Sequence, residues 1–396
     1  AQTVVPQITY VVAVAGPCNE TININNATNL NVGALFGTTI TINGSVNVTG
    51  SNSVFLYGLN VTNPAGNAFT ITSSHNVTLW TCTGNGNQGV GLSVGTLSDV
   101  TVDGPGSFDN NAGGGIGAGN NSVVYIATWG GAVDVSRNQG SGVGVGDGAL
   151  FLTYGNTTIN DNVSPPGAAA PSGVGVIQAS ASKVQIANCF GPNQISGNQG
   201  GGIDARETSE LALWPCSAVG GNFITGNGPV GIRAGGGTQV ALYDNVQISG
   251  HSRAGIELYG RSQLNVFGPN LISQNGSAGD PRSAGIVVDG NSEAYLRGGT
   301  ISGNQGPGIL ALVNSSADFT GATFTGNSGG VITCDSSAVM VSDLPQPMST
   351  PGKGVACRTP HNLGNDHGNV VRPTIPDFTA QKLKAAQYKA MARRKH

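Results

Sequence analysis

Ionisable residues are scarce in this chain of 396 residues, of which 9% are charged. The residues that could do chemistry gather between positions 204 and 297. There the strings Gly-Ile-Asp, Gly-Ile-Arg and Gly-Ile-Glu set Asp204, Arg233 and Glu257 at one point of a recurring motif, directly after Ile203, Ile232 and Ile256. His251, Arg253 and Arg282 fall close by in the same motif. Arg233, His251, Arg253 and Glu257 carry the groups that a base, an acid and a charge clamp need. The same column also makes a surface ion ladder, with His251 a tolerated replacement among asparagines. A second set is aromatic. Alternation that turns Leu211 and Leu213 inward turns Trp214 outward, and the same register exposes Tyr243 and Phe267, with Arg297 next. Exposed rings on consecutive repeats suit a sugar face or a partner surface, unless a loop or the C-terminal tail covers them.

The elements that must position these residues are legible from a nonapeptide. Ile-Ser-Gly-Asn-Gln-Gly-Gly-Gly-Ile, beginning at Ile195, returns at Ile301, with variants at Ile224, Ile248 and Phe324. A motif at fixed spacing marks a repeat architecture. Each repeat opens on a small polar residue (Ser53, Ser98, Ser182, Ser209, Thr238, Ser262, Ser292, Ser315 or Ser336) and continues as a strand of period two. A second strand ends in Ile-Ser or Ile-Thr, a Gly-Asn turn follows, and a Gly-Ile strand closes the coil. Asn110, Asn138, Asn162, Asn198, Asn227, Asn275, Asn304 and Asn327 are expected in one corner, accepting a left-handed backbone and bonding coil to coil, with His251 standing in once. About a dozen coils stacked at strand spacing make a solenoid on the order of 60 Å long.

Three short strands and such a turn resemble the right-handed parallel β-helix of the pectate-lyase-like superfamily. The resemblance implies an all-β fold for the repeat region. It leaves activity open, since the fold hosts lyases, hydrolases, epimerases, adhesins and structural proteins. The superfamily's galacturonase strings (Asn-Thr-Asp, Asp-Asp, Gly-His-Gly, Arg-Ile-Lys) are missing, as is an epimerase-like Asp-Pro-His. Asp366-His367 lies outside the coils. The N-terminal coils hold too few acids to expect the facing carboxylate pair of a glycosidase.

The expected organisation is a cap and first partial coil over 1–26, a β-helix over 27–343, and a proline-rich basic tail over 344–396. In that tail Asp377 caps a short helix beginning at Phe378. Insertions at 163–171 and 276–283 extend two turns. No lysine or arginine precedes Arg137. The body to residue 371 carries about −9 and the remainder about +6, so the tail is expected to dock on its own body or a neighbour's. No basic face suggests nucleic acid, and no apolar run reaches the length of a membrane span. Cys189 and Cys216 follow Ser182 and Ser209 by seven residues each and are expected to bond across neighbouring coils. Cys334 and Cys357 are expected to tie the exit segment, while Cys18 and Cys82 lie too many coils apart. No cysteine spacing suggests a metal, and no cofactor is expected. Sequons such as Asn19, Asn47, Asn60, Asn76 and Asn156 permit glycosylation.

These features point to a secreted or surface-exposed structural solenoid, with an N-terminus that looks like a mature end left by signal-peptide cleavage. Its expected partners are other copies of itself, head to tail and even in filaments, or an extracellular matrix. The balance is against an enzyme. The alternative is a protein that binds or cleaves polysaccharide, as a lyase or glycoside hydrolase, on the outer face of the charged zone.

Overall fold

The computed structural model describes residues 10–341 apart from 15–16, 35–37, 168–171, 217–219 and 336. The basic tail with its expected helix, Cys357 and residues 1–9 lie outside the described residues. The chain divides into two compact units, Ala1–Thr359 and Pro360–His396, and every described residue belongs to the first.

Strands in this unit pair in parallel with the strands one coil before and after them. They make three sheets: a first of 14 strands (Tyr10–Val14 to Val339–Val341), a second of 12 (Ile40–Asn43 to Thr323–Thr325) and a third of 13 (Ile22–Asn25 to Ile332–Cys334). The chain visits them in that order and returns, so each coil adds one strand to each sheet. This is a parallel β-helix, wound with the right-handed crossover that parallel strands adopt. Among the described residues there is no helix, and so none long and apolar enough to cross a membrane.

Period-two alternation builds the core. Ile195, Ile203, Leu211 and Leu213 from one coil stack on Ile224, Ile232, Val240 and Leu242 of the next, all buried in a single apolar cluster. The opening residues form an inner spine: Ser98, Ser182, Ser209 and Ser262 are buried, Ser51 takes the place expected of Ser53, and the Ser262 amide donates to Ser292 Oγ at 3.1 Å.

The asparagine corner differs from expectation in an instructive way. The ladder runs through Asn87, Asn111, Asn138, Asn162, Asn198 and Asn227, then Asn275, Asn304 and Asn327. Asn110 is not in it; Asn111 is. The left-handed residue is the one before each ladder asparagine, such as Asn110 (φ 57°), Asp161 (φ 55°) or Gly197 (φ 65°). The ladder residue itself is turned inward. Asn198 Nδ2 donates to Asn227 Oδ1 at 2.8 Å and to the Ile159 carbonyl at 2.9 Å, and its amide donates to the same Oδ1 at 3.1 Å. These asparagines are kept for hydrogen bonding in the interior, and their neighbours absorb the strained φ. The glycine that follows each turn is a packing requirement: a Cβ at Gly202 would lie 2.5 Å from the Gly231 carbonyl oxygen.

Cys189 and Cys216 are disulfide-bonded across 27 residues, as expected. Cys334 is also disulfide-bonded. Cys18 and Cys82 are free thiols; burial pushes the Cys82 thiol up to about 12, so it carries no thiolate reactivity near neutral pH.

Candidate functional site

The third sheet turns its outer face to solvent with residues of one parity. In the strands Gly201–Ala205, Val230–Ala234, Ala254–Leu258 and Ala284–Val288, the register pairs Asp204 with Arg233, Arg233 with Glu257 and Glu257 with Val287. The charged column anticipated from the Gly-Ile motif is therefore real. Its centre is Glu257, with a side chain 7% exposed. Arg233 Nε lies 3.2 Å and Arg253 Nη2 2.7 Å from Oε2, while Arg282 Nε lies 2.9 Å from Oε1, though out of line for a hydrogen bond. Three guanidiniums thus hold one carboxylate. Arg282 reaches onward to Asp289, Nη1 to Oδ2 at 2.9 Å. The outward Val287 is fully buried, in a small apolar cluster with Ala254, Ala284 and Leu310 and with Leu312 packed against it.

Arg206, Tyr259 and Asp289 complete the cluster, and the motif did not single them out. Each stands just past the end of its strand, on the same face as the column two residues earlier; continuing the alternation by one step beyond the strand would have found them. Arg206 grips Asp204 through Nε, at 2.8 Å from Oδ1, and through Nη2. That hydrogen-bonded pairing raises the guanidinium further above its already high range. The Tyr259 ring abuts Gly235, where a Cβ would be 2.1 Å from Cζ. Burial, and then the charge of Asp204, raises its phenol. Four arginines and three carboxylates, Asp204, Glu257 and Asp289, therefore face outward on consecutive coils.

His251 is not part of this cluster. It occupies the ladder position between Asn227 and Asn275, 1% exposed, with Nε2 3.0 Å from the Ile224 carbonyl and its own amide donating to Asn275 Oδ1. An imidazole turned into the core cannot serve as a surface acid or base. Burial lowers its basicity from the ordinary value of about 6.5. The native state therefore binds fewer protons than the unfolded chain, and stability is complete above that value and declines as pH falls below it. His251→Asn is expected to rejoin the ladder and to remove this part of the acid dependence. Denaturant midpoints at about pH 7.5 and about pH 5 would show it as a smaller drop than in the parent. An unchanged drop would mean that other groups carry the acid sensitivity.

The aromatic stripe also needs correcting. Trp214 does point outward from the first sheet but is only 8% exposed, two residues before the Cys189–Cys216 bridge. Tyr243 and Phe267 are half-buried and stack on each other with centroids 5.3 Å apart and planes 17° from parallel. Rings stacked coil on coil spend their facing sides on one another, so this pair works first as a ladder. Arg297 is tied to Asp318 of the next coil at 2.7 Å. Parity alone could not reveal either cover or stacking.

The N-terminal half brings two carboxylates together around one arginine. Asp109 and Asp134 share Arg137, whose Nη2 lies 3.0 Å and 3.7 Å from them. Burial, the dominant cause, and the nearby Asp134 hold Asp109 above the ordinary carboxylate range. A guanidinium between two carboxylates is an ion bridge, a different arrangement from the open pair of a glycosidase. A surface depression of about 580 Å³ lies over the asparagine corner, lined by Gln199, Ser252, Gln274 and Ser277 among others. It contains no outward-facing ionisable group, and the chemistry lies on the adjoining sheet face.

Comparison with known proteins agrees with this architecture. Residues 133–327 match the model of a right handed beta helix region. A search of curated proteins finds no match. Among solved structures the chain is similar to the A-module of the Azotobacter vinelandii mannuronan C-5 epimerase AlgE4. That alignment has 16% identity and a TM-score of 0.54, and covers 84% of this chain and 91% of that one. The A-module of AlgE6 from the same organism aligns at 13% identity with a TM-score of 0.39, covering 85% and 92%. At these identities the likeness to AlgE4 shows the fold alone, a right-handed parallel β-helix.

Proposed function

We propose that this right-handed parallel β-helix is a non-catalytic polysaccharide-binding protein of an oxidising, extracytosolic compartment, and that it takes an acidic glycan on the outer face of its third sheet. The observation that carries the reading is the arginine cluster. Arg206, Arg233, Arg253 and Arg282 spend only one or two of their three guanidinium nitrogens each on the carboxylates described. Arg253 Nε is a buried donor with no hydrogen-bond partner among the described residues. Planar N–H forks left over on a rigid sheet suit ligand carboxylates. Binding is favoured over cleavage because Glu257 has both oxygens held by arginine and His251 faces the core. The Cys189–Cys216 bond supports the compartment, and a mannuronan C-5 epimerase on the same fold is in keeping with a glycan ligand. The head-to-tail assembly suggested by charge depends on the tail, which lies outside the described residues.

The test is affinity electrophoresis in gels containing polyuronate or a neutral glucan, at low and high salt. The parent should be retarded by polyuronate alone, and less so at high salt. The double variant Arg233→Gln/Arg253→Gln should bind about tenfold more weakly, a loss of roughly 1.4 kcal/mol. Equal retardation of parent and variant would sink the site. New reducing ends or unsaturated products would sink the non-catalytic part.

A further inference from the structure

The outer face of the third sheet does not end at the arginines. Toward the N-terminus the column that holds Asp204 continues through Ile177 to Gly144 and Gly117. The column that holds Arg206 continues through Ala179 to Gly146, Gly119 and Gly95 by successive backbone hydrogen bonds. Outward strand positions of the first two sheets carry side chains throughout, apart from Gly33, whose Cβ would strike the Tyr57 ring at 2.6 Å. Nothing comparable demands Gly95, Gly117 and Gly144 in strands of the third sheet, or Gly119 and Gly146 one residue past the ends of two of them. None has a positive φ; a Cβ would meet nothing within 4 Å at Gly95 and Gly146, and only ordinary contacts at 3.7–3.9 Å at Gly117, Gly119 and Gly144. A glycine inside a strand weakens it, and where neither conformation nor crowding explains one, close approach of a ligand does.

We infer that the arginine cluster is one end of a lengthwise track, and that the glycan it holds runs flat across this bare backbone toward the N-terminal coils. The inference rests on the reading of the arginines as an acidic-glycan site and adds the direction, length and shape of the ligand. Charge complementarity anchors the chain at Arg206, Arg233, Arg253 and Arg282. Beyond them the ladder has already used the backbone amides, so the floor offers peptide faces and Cα–H groups to sugar rings. The rim supplies a polar partner: Asp147 Oδ2 lies 3.9 Å from where a Gly119 Cβ would stand, placed to accept from a sugar hydroxyl. Leu97, 62% exposed just after Gly95, supplies an apolar one. The occupant is a polymer spanning several coils.

The double variant Gly117→Thr/Gly144→Thr tests this. Threonine is a better strand former than glycine, and the two would stack as Thr49 and Thr72 do, with hydroxyls 3.2 Å apart. Its thermal midpoint should equal or exceed the parent's, so any loss of binding is not a loss of fold. Two ligands are measured by calorimetry, a long polyuronate and a uronic-acid trisaccharide that reaches only the arginines. The variant should bind the trisaccharide as the parent does and the polymer about tenfold more weakly. Unchanged polymer affinity overturns the track while leaving the arginine site standing. If the parent binds neither ligand, the glycan reading itself falls. If the parent sediments as a dimer and the variant as a monomer, the floor is an interface between copies and the track is wrong.

Discussion

Glu257→Ala is expected to lower the free energy of unfolding by about 3 kcal/mol, the low end of the range for breaking a buried ion pair. The carboxylate is almost wholly buried, and it is the shared counter-charge of Arg233, Arg253 and Arg282, whose side chains are 27%, 26% and 32% exposed. Without it three guanidiniums face one another with no anion between them. Their partial exposure lets water and salt screen part of the repulsion, which is why the low end applies. Glu257→Gln should lose nearly as much, because it keeps the shape and removes the charge. Chemical denaturation monitored by circular dichroism would measure both, and added sulfate should restore part of the loss by occupying the arginines. A change below about 1 kcal/mol, the scale of an exposed pair, would show that the cluster is a solvated surface ladder.

Asn198→Ala should cost more, about 4 kcal/mol, because several buried polar groups lose partners at once and each costs about 1–3 kcal/mol. Asn198 is fully buried. Its Oδ1 accepts from the Asn162 amide at 3.0 Å and from Asn162 Nδ2 at 2.7 Å, while its Nδ2 serves Asn227 and Ile159. Alanine leaves the Asn162 amide and one of the two Asn162 Nδ2 hydrogens without an acceptor, the other still reaching the Val135 carbonyl, and takes a buried donor from Asn227 Oδ1 and from the Ile159 carbonyl. Because each coil contacts only its neighbours, the damage should be local. Hydrogen exchange should quicken first in the strands Thr157–Asn160, Asn193–Ser196 and Asn222–Thr225. Asn110→Gly is the discriminating control: Asn110 is exposed and left-handed, so glycine there should be close to neutral. Equal losses at the two positions would mean that backbone geometry, and not the hydrogen-bond ladder, is what the corner requires.

Those two asparagines show how far the sequence could be followed. The period of the repeat, the strand parity and the column Asp204–Arg233–Glu257 were all legible, because stacking coils in register is a one-dimensional rule that spacing alone obeys. The identity of the ladder residue was not. A turn of two residues can present either to the interior, and Asn110 and Asn111 are the same amino acid. At His251 the motif showed that the series was broken but not that the imidazole turns inward and finds two carbonyls.

What the chain determines by itself is the solenoid: alternating apolar residues, glycine-asparagine corners and serine openings suffice, since each depends only on its neighbours one coil away. What the tertiary structure alone decides is where outward side chains go. Arg282 leaves its own turn and meets both Glu257 and Asp289; Trp214 points out and is nevertheless buried; Tyr243 closes on Phe267. Long side chains reach along their own coil and into the neighbouring one, which a period-two pattern does not encode. The candidate site is made by that reach.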